Sequence, residues 1–411
     1  MIYDLVFEGG GAKGFVLVGA YEEFIRRGHT PGRVLGTSAG AITAALMAAG
    51  YTPEEMVAAL DERDAAGKPV MAGFLGDPAP FDRQAVADSA IRKLLKEVNV
   101  VPLPDFFEDK ADDFIAQHLA QNPTSRHLYA FVERGGWYSA DNFLAWLRAR
   151  LDAGERGGAP RKFSAMTLEE FFAATGVELA VVASDTTGGR MLVLNHRTAP
   201  QCPLVMAVRM SMSIPLLWEE VIWQASWGTY RGRDLTGHAI VDGGMLSNFP
   251  IELFLSNDLS VVNVMGPKQD TAVLGMLIDE EAEVPQPLEP AAAIFLDVNV
   301  HPSEFNTVKR IKAIVATALG AHDKSVMDEY EQLIVRLPAK GYGVVEFDLP
   351  PHRLEALLNA GRSATALYFD TPQPAATVGP EAAGPEAAGA NQPPPTPSSA
   401  VIDRRARDIL S

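Results

Sequence analysis

YDLVFEGGGAKGFVLVGAYEEFIRRGHTPGRVLGTSAG, residues 3–40, sets the architecture of this chain. Its apolar run 3–8 reads as a strand, the glycines Gly9 to Gly11 interrupt it, and 13–27 carries helical spacing that Gly28 ends. Residues 33–37 predict a second strand, and the Ala-rich stretch 39–49 a helix closed by Gly50. A strand, loop, helix, strand, helix order is how a parallel α/β sheet begins.

Outward from this start, residues 52–161 change character to helical segments broken by Pro and Gly, and read as a helical insertion or cap. Its bulky residues, among them Phe74, Phe81, Phe106, Phe107, Phe114, Phe131, Trp137, Phe143 and Trp146, suit an ordinary core better than an acyl channel or a membrane contact. Further on, 167–175 predicts a helix, 177–184 and 190–195 two strands, and 203–213 a helix. Strands are expected at 238–241 and 259–265, a long helix at 304–335 and a last one at 351–369. Residues 371–400 are rich in Pro, Ala, Gly and Ser, with two near-copies of GPEAAG, a composition too poor in apolar surface to fold. The final VIDRRARDILS predicts a short amphipathic helix whose partner is not legible. The domain expectation is therefore a catalytic unit over 1–370, with the insertion at about 52–161 and a helical extension at about 300–370, followed by a tail at 371–411.

The motif Gly9-x-Gly11-x-x-Gly14 after a strand also fits a dinucleotide fingerprint. Such a site carries an acid at the end of the second strand to bind the ribose, whereas here that strand ends in Gly36, Thr37 and Ser38. Three consecutive glycines let backbone N–H groups converge on an anion at the positive end of a helix, which suits an oxyanion equally. A tight strand-to-helix turn with no ligand is the plainer alternative.

Gly36-Thr37-Ser38-Ala39-Gly40 is G-x-S-x-G between an apolar strand and a helix, the setting of a nucleophile elbow, in which small neighbours let strand and helix pass closely. Ser38 as a simple helix N-cap is the competing reading. A serine hydroxyl needs a base, yet the eight histidines are scattered without a motif. Asp242, leaving an apolar strand and followed by Gly243 and Gly244, is the carboxylate in a suitable place, with a turn-forming aspartate as the alternative.

EGGGAKG (8–14), GTSAG (36–40) and VDGG (241–244) in this order resemble the patatin-like phospholipase family, with support from ASDTTGGRMLVLN (183–195) and RMSMSIPLLW (209–218). The resemblance spans roughly 3–256. It implies a three-layer α/β/α fold with a mainly parallel central sheet, and a Ser–Asp dyad that works without histidine. Carried over, Ser38 is the nucleophile, Asp242 the general base, and the loop Gly9, Gly10, Gly11, Ala12, Lys13 and Gly14 the oxyanion hole. It also implies a phospholipid, lysophospholipid or other fatty-acyl ester as substrate and transient contact with a membrane surface. The alternatives are a catalytically silent lipid-binding scaffold and an esterase with a conventional triad through His238 or His301.

Composition narrows the classes. A net charge of −17 without a basic run argues against nucleic acid as a partner. The single cysteine, Cys202, excludes an internal disulfide. No metal-ligand spacing or cofactor motif is expected, and the absence of a leader pattern and of a stretch of about 20 apolar residues predicts a cytoplasmic protein, peripheral at membranes. An activating protein partner is left open.

Overall fold

The computed structural model of the chain describes residues 1–97, 117–119, 121–285, 330–371 and 397–410. Its centre is an eight-stranded sheet: β1 (Ile2–Phe7), β2 (Thr30–Thr37), β3 (Leu179–Asp185), β4 (Arg190–Leu194), β5 (Val221–Ile222), β6 (Ala239–Asp242), β7 (Ala272–Asp279) and β8 (Ile334–Pro338). In space the order is β8-β7-β1-β2-β3-β6-β5, with β4 also paired to β3. The first five strands of that order run parallel. The sheet ends in antiparallel pairs made by β4, β6 and β5.

Strand β3 has three neighbours because two of them share one edge. Its residues 181–185 pair with β4, which occupies one side. On the other side β2 pairs with 179–182, ending at Thr37 opposite Val182, and β6 takes over with Asp242 opposite Ala183. The chains of β2 and β6 run towards each other along this edge, so Thr37 and Asp242 face neighbouring residues of β3, about 3.3 Å apart along a strand.

Helices cover both faces. On one lie α1 (Phe15–Arg26), α2 (Ala39–Ala48), α3 (Pro53–Leu60), α4 (Asp141–Asp152), α5 (Leu204–Ser211) and α7 (Pro351–Asp370), all sharing one apolar core with the sheet. The described part of the insertion belongs to that core: Phe74, Phe143 and Trp146 are buried and pack ring against ring, and Phe74 also meets Phe347. Phe106, Phe107 and Phe114 lie outside the described residues. The other face carries Phe249, Ile251 and Phe254, then α6 (Leu259–Met265) and α8 (Ser399–Leu410). The resulting arrangement is the three-layer α/β/α sandwich expected from the sequence.

Two expectations fail. Residues 259–265 are helix α6, not a strand: Asp258 caps it by accepting from the Ser260 amide, and Gly266 ends it with φ 77°. The helix expected over 304–335 falls mostly outside the described residues, but its end is strand β8, paired to β7 from Ile334. Strand β7 had no counterpart in the sequence reading. The terminal amphipathic helix is present, and it has an internal partner. In α8, Ile402 and Ala406 are buried, while Asp403 accepts from Ser256 Oγ at 2.6 Å and from the Asn257 amide at 2.9 Å. No described helix is long and apolar enough to cross a membrane.

Candidate active site

Ser38 stands at the turn from β2 into α2 with φ 52° and ψ −119°, a conformation that non-glycine residues rarely adopt. Its side chain caps nothing, so the N-cap alternative falls. Its amide is held instead by the hydroxyl oxygen of Ser211, at 2.9 Å. The flanking glycines have steric causes. A Cβ on Gly36 would sit 2.3 Å from the Gly40 carbonyl oxygen, and one on Gly40 2.3 Å from that of Phe7. Helix α2 thus crosses the end of β1 at backbone contact, which only this spacing permits.

Asp242 reaches the same point from the opposite direction. It is fully buried, its amide donates to the Ser213 carbonyl at 2.9 Å, and Oδ1 accepts from the Gly244 amide at 2.8 Å. Oδ2 is buried and takes no conventional hydrogen bond. Desolvation pushes the carboxyl up to about 7, opposed by the Gly244 amide and by the neighbouring Ser38 hydroxyl. Gly243 is fixed by close packing, since a Cβ there would lie 2.5 Å from the Val182 carbonyl oxygen. Asp242 leaves the apolar strand β6, as expected. Its strand is antiparallel to its neighbours, and convergence on β2 is what brings the carboxylate to Ser38.

The glycine loop closes the third side. Gly9 lies against Ser38, where a Cβ would come within 2.9 Å of the serine Cβ. Among the described residues the amides of Gly9, Gly10 and Gly11 have no acceptor, whereas that of Ala12 donates to the Val344 carbonyl at 2.8 Å and that of Lys13 to the Gly10 carbonyl at 3.2 Å. Ala12 and Lys13 therefore leave the set of open donors, because their N–H groups hold the loop's own shape. Gly14 packs closely on the start of α2, since a Cβ there would lie 2.7 Å from the Ala39 side chain. The Lys13 ammonium is buried and pairs with Glu280. Gly11 needs its φ of 56° and the absence of a side chain, since Val344 O would lie 2.1 Å from a Cβ.

Three participants escaped the sequence reading. Asn248 donates to Glu8 Oε1 at 3.2 Å and to the Gly9 carbonyl at 3.1 Å, tying the glycine loop to the segment that follows Asp242. Ser211, noticed only as part of a Ser-x-Ser-x-Pro run, holds the elbow. Arg209, fully buried and pushed down to about 10 by desolvation, binds Ser213 and the Glu219 carbonyl, and so braces the backbone that holds Asp242. No described histidine is hydrogen-bonded to Ser38 or Asp242. His238 precedes β6 at its far end, about 13 Å of strand from Asp242, and pairs with Asp185 at 3.0 Å. His301 lies outside the described residues.

A family model for patatin-like phospholipase matches residues 5–255. The chain belongs to that family, and with it to the lipolytic acyl hydrolases, ester hydrolases with lipid substrates. It is similar to an uncharacterized protein, YqhO, of Bacillus subtilis (strain 168), with 29% identity over 377 residues that cover 90% of this chain and 98% of YqhO. Among solved structures it is similar to VipD from Legionella pneumophila, at 17% identity and a TM-score of 0.45, covering 90% of this chain and 66% of VipD. The type III effector ExoU, crystallised from Pseudomonas aeruginosa, shows 16% identity and a TM-score of 0.36, covering 89% of this chain. The chain spans about two thirds of VipD and 52% of ExoU.

Proposed function

We propose that the chain hydrolyses fatty-acyl esters of phospholipids or lysophospholipids through a Ser38–Asp242 dyad. The observation that carries this reading is the convergence of β2 and β6 on one edge of β3, which sets a strained serine beside a buried carboxylate with one unpartnered oxygen. Ser38 Oγ attacks the ester carbonyl while its proton passes to Asp242 Oδ2. The tetrahedral oxyanion rests on the open amides of the Gly9–Gly11 loop and on that of Ala39 at the start of α2, each donor worth about 3 kcal/mol in such sites. Collapse expels the alcohol, which takes the proton back from Asp242. Water then attacks the acyl-enzyme, giving its proton to Asp242, and the fatty acid leaves as Ser38 is restored.

Raising the Asp242 carboxyl to about 7 makes it a stronger base than an exposed aspartate. It also orients Ser38 without a third residue, because the Gly244 amide fixes the carboxylate plane. The catalytic unit is taken as residues 1–370, acting at a lipid surface.

Release of fatty acid from labelled phospholipid and lysophospholipid tests the assignment. Ser38→Ala and Asp242→Asn should each lower turnover by roughly 10³-fold or more, with the fold retained. Equal release by wild type and both variants rules the dyad out, and no release by any of the three leaves a lipid-binding role.

A further inference from the structure

We propose that the apolar cleft descending from the glycine loop between α1, α2 and α3 is the acyl-chain site, and that Met56, Leu60 and Met71 at its floor set the chain length. This rests on the reading of Ser38 as nucleophile. Gly11, Gly14 and Ala39, which adjoin the proposed oxyanion site and the elbow, line one end of the cleft, and the proposal takes that end as its mouth. From there the cleft follows one stripe of α2, through Ile42 and Thr43 to Leu46, a depth of about 10 Å at the rise of an α-helix. Val18 of α1 forms the facing wall, and α3 with the turn at Val70–Phe74 closes the bottom.

The chemistry of the lining selects the occupant. Among the described residues that line the cleft, none is charged. Thr43, the one hydroxyl among those described residues, donates to the Ala39 carbonyl at 3.2 Å and so presents its methyl. The nearest buried cation, Lys13, is engaged by Glu280. A phosphate or sugar headgroup would find no partner here, while an alkyl chain loses nothing. An acyl carbon bonded to Ser38 and held by the loop amides has its chain starting at this mouth.

The enclosed space is only about 30 Å³, on the order of one or two waters, so a chain enters as the floor gives way. Met56 and Met71 suit that, being unbranched with three rotatable bonds. Leu60 is stiffer and limits how far the floor drops.

Covalent labelling of Ser38 by alkyl fluorophosphonates tests this without full turnover. The phosphorus takes the serine oxygen, fluoride leaves, and the proton goes to Asp242. The readout is the ratio of labelling rates for a dodecyl and an ethyl tail, followed by intact mass. Met71→Ala should raise the ratio about tenfold, and Met71→Phe should lower it by about the same factor, the scale of one or two methylenes in a fitted pocket. Met56→Ala should act like Met71→Ala. A ratio identical to wild type in all three variants overturns the proposal. Labelling of another residue in wild type, with Ser38 unmodified, overturns the nucleophile reading and this one together, whereas Ser38 labelling with unchanged ratios overturns only the cleft.

Discussion

The two faces of the sheet are built on opposite plans. On the α1–α2 face, residues 2–48 supply two strands, the glycine loop, the elbow and both flanking helices, and only Ser211 and Asp242 reach Ser38 from remote segments. The second face is assembled from remote pieces: Phe249 and Ile251, helix α6, and the C-terminal α8, which reaches it from beyond the low-complexity stretch. Chemistry is concentrated where the chain is local, and cover is supplied by whatever apolar helix can be brought back. Substitutions at the glycine loop and elbow should therefore change turnover, and those remote from them should change stability alone.

The largest effect expected is at the elbow. Gly40→Val places a branched side chain where even a Cβ meets the Phe7 carbonyl at 2.3 Å, so strand and helix must separate. We expect loss of Ser38 labelling together with destabilisation of roughly 3 kcal/mol or more, read by urea denaturation. An active, stable Gly40→Val protein breaks the comparison at its strongest point.

On the second face, Ala406→Asp buries a carboxylate at a position with no exposure and should cost about 3 kcal/mol. Ester hydrolysis per folded molecule should remain at the wild-type level, because α8 packs on α6, on β4 and on residues 252–255. Selective loss of turnover at unchanged stability would erase the distinction between the faces. Asp403→Ala is milder. It removes the acceptor of Ser256 Oγ and the Asn257 amide and should cost about 1–2 kcal/mol in the same assay. Smallest of all is Asp370→Ala, at the exposed end of α7 on the first face. The Arg27–Asp370 pair is exposed on its acidic side, and its loss should shift stability by less than about 1 kcal/mol.

The same contrast explains what the sequence disclosed. Gly9–Gly14, Ser38 and its flanking glycines were legible because each is demanded by a clash or a positive φ within a short stretch. Asp242 was legible as a residue but not in its geometry. Nothing local says that β6 runs against β2, since that follows from which edge of β3 each strand occupies. LSVVNVM at 259–265 looks like a strand by its β-branched content, and only the Asp258 cap and burial against Phe249 and Phe254 make it helical. Asn248, Ser211 and Val344 act through hydrogen bonds to groups distant in sequence, and such bonds leave no periodic trace. The apolar cleft was equally hidden, because α1 and α2 read only as helices and α3 lay within the expected insertion, and the aromatic residues that drew attention, such as Phe74 and Trp146, lie buried together instead.

Asp242 ties stability to activity through pH. Its carboxyl holds a proton more firmly in the folded state than in the unfolded one. The stability it contributes is present below the ordinary carboxylate range and is lost as pH rises towards about 7. Proton acceptance needs the ionised form, so catalysis rises over the interval in which that stability is given up. The central claim, an aspartate base without histidine, is tested most directly by the pH dependence of kcat/KM for a soluble ester in wild type and His238→Ala. The account predicts a rising limb centred near 7 in both proteins, with unchanged height in the variant. Disappearance of that limb in a folded His238→Ala protein would contradict it.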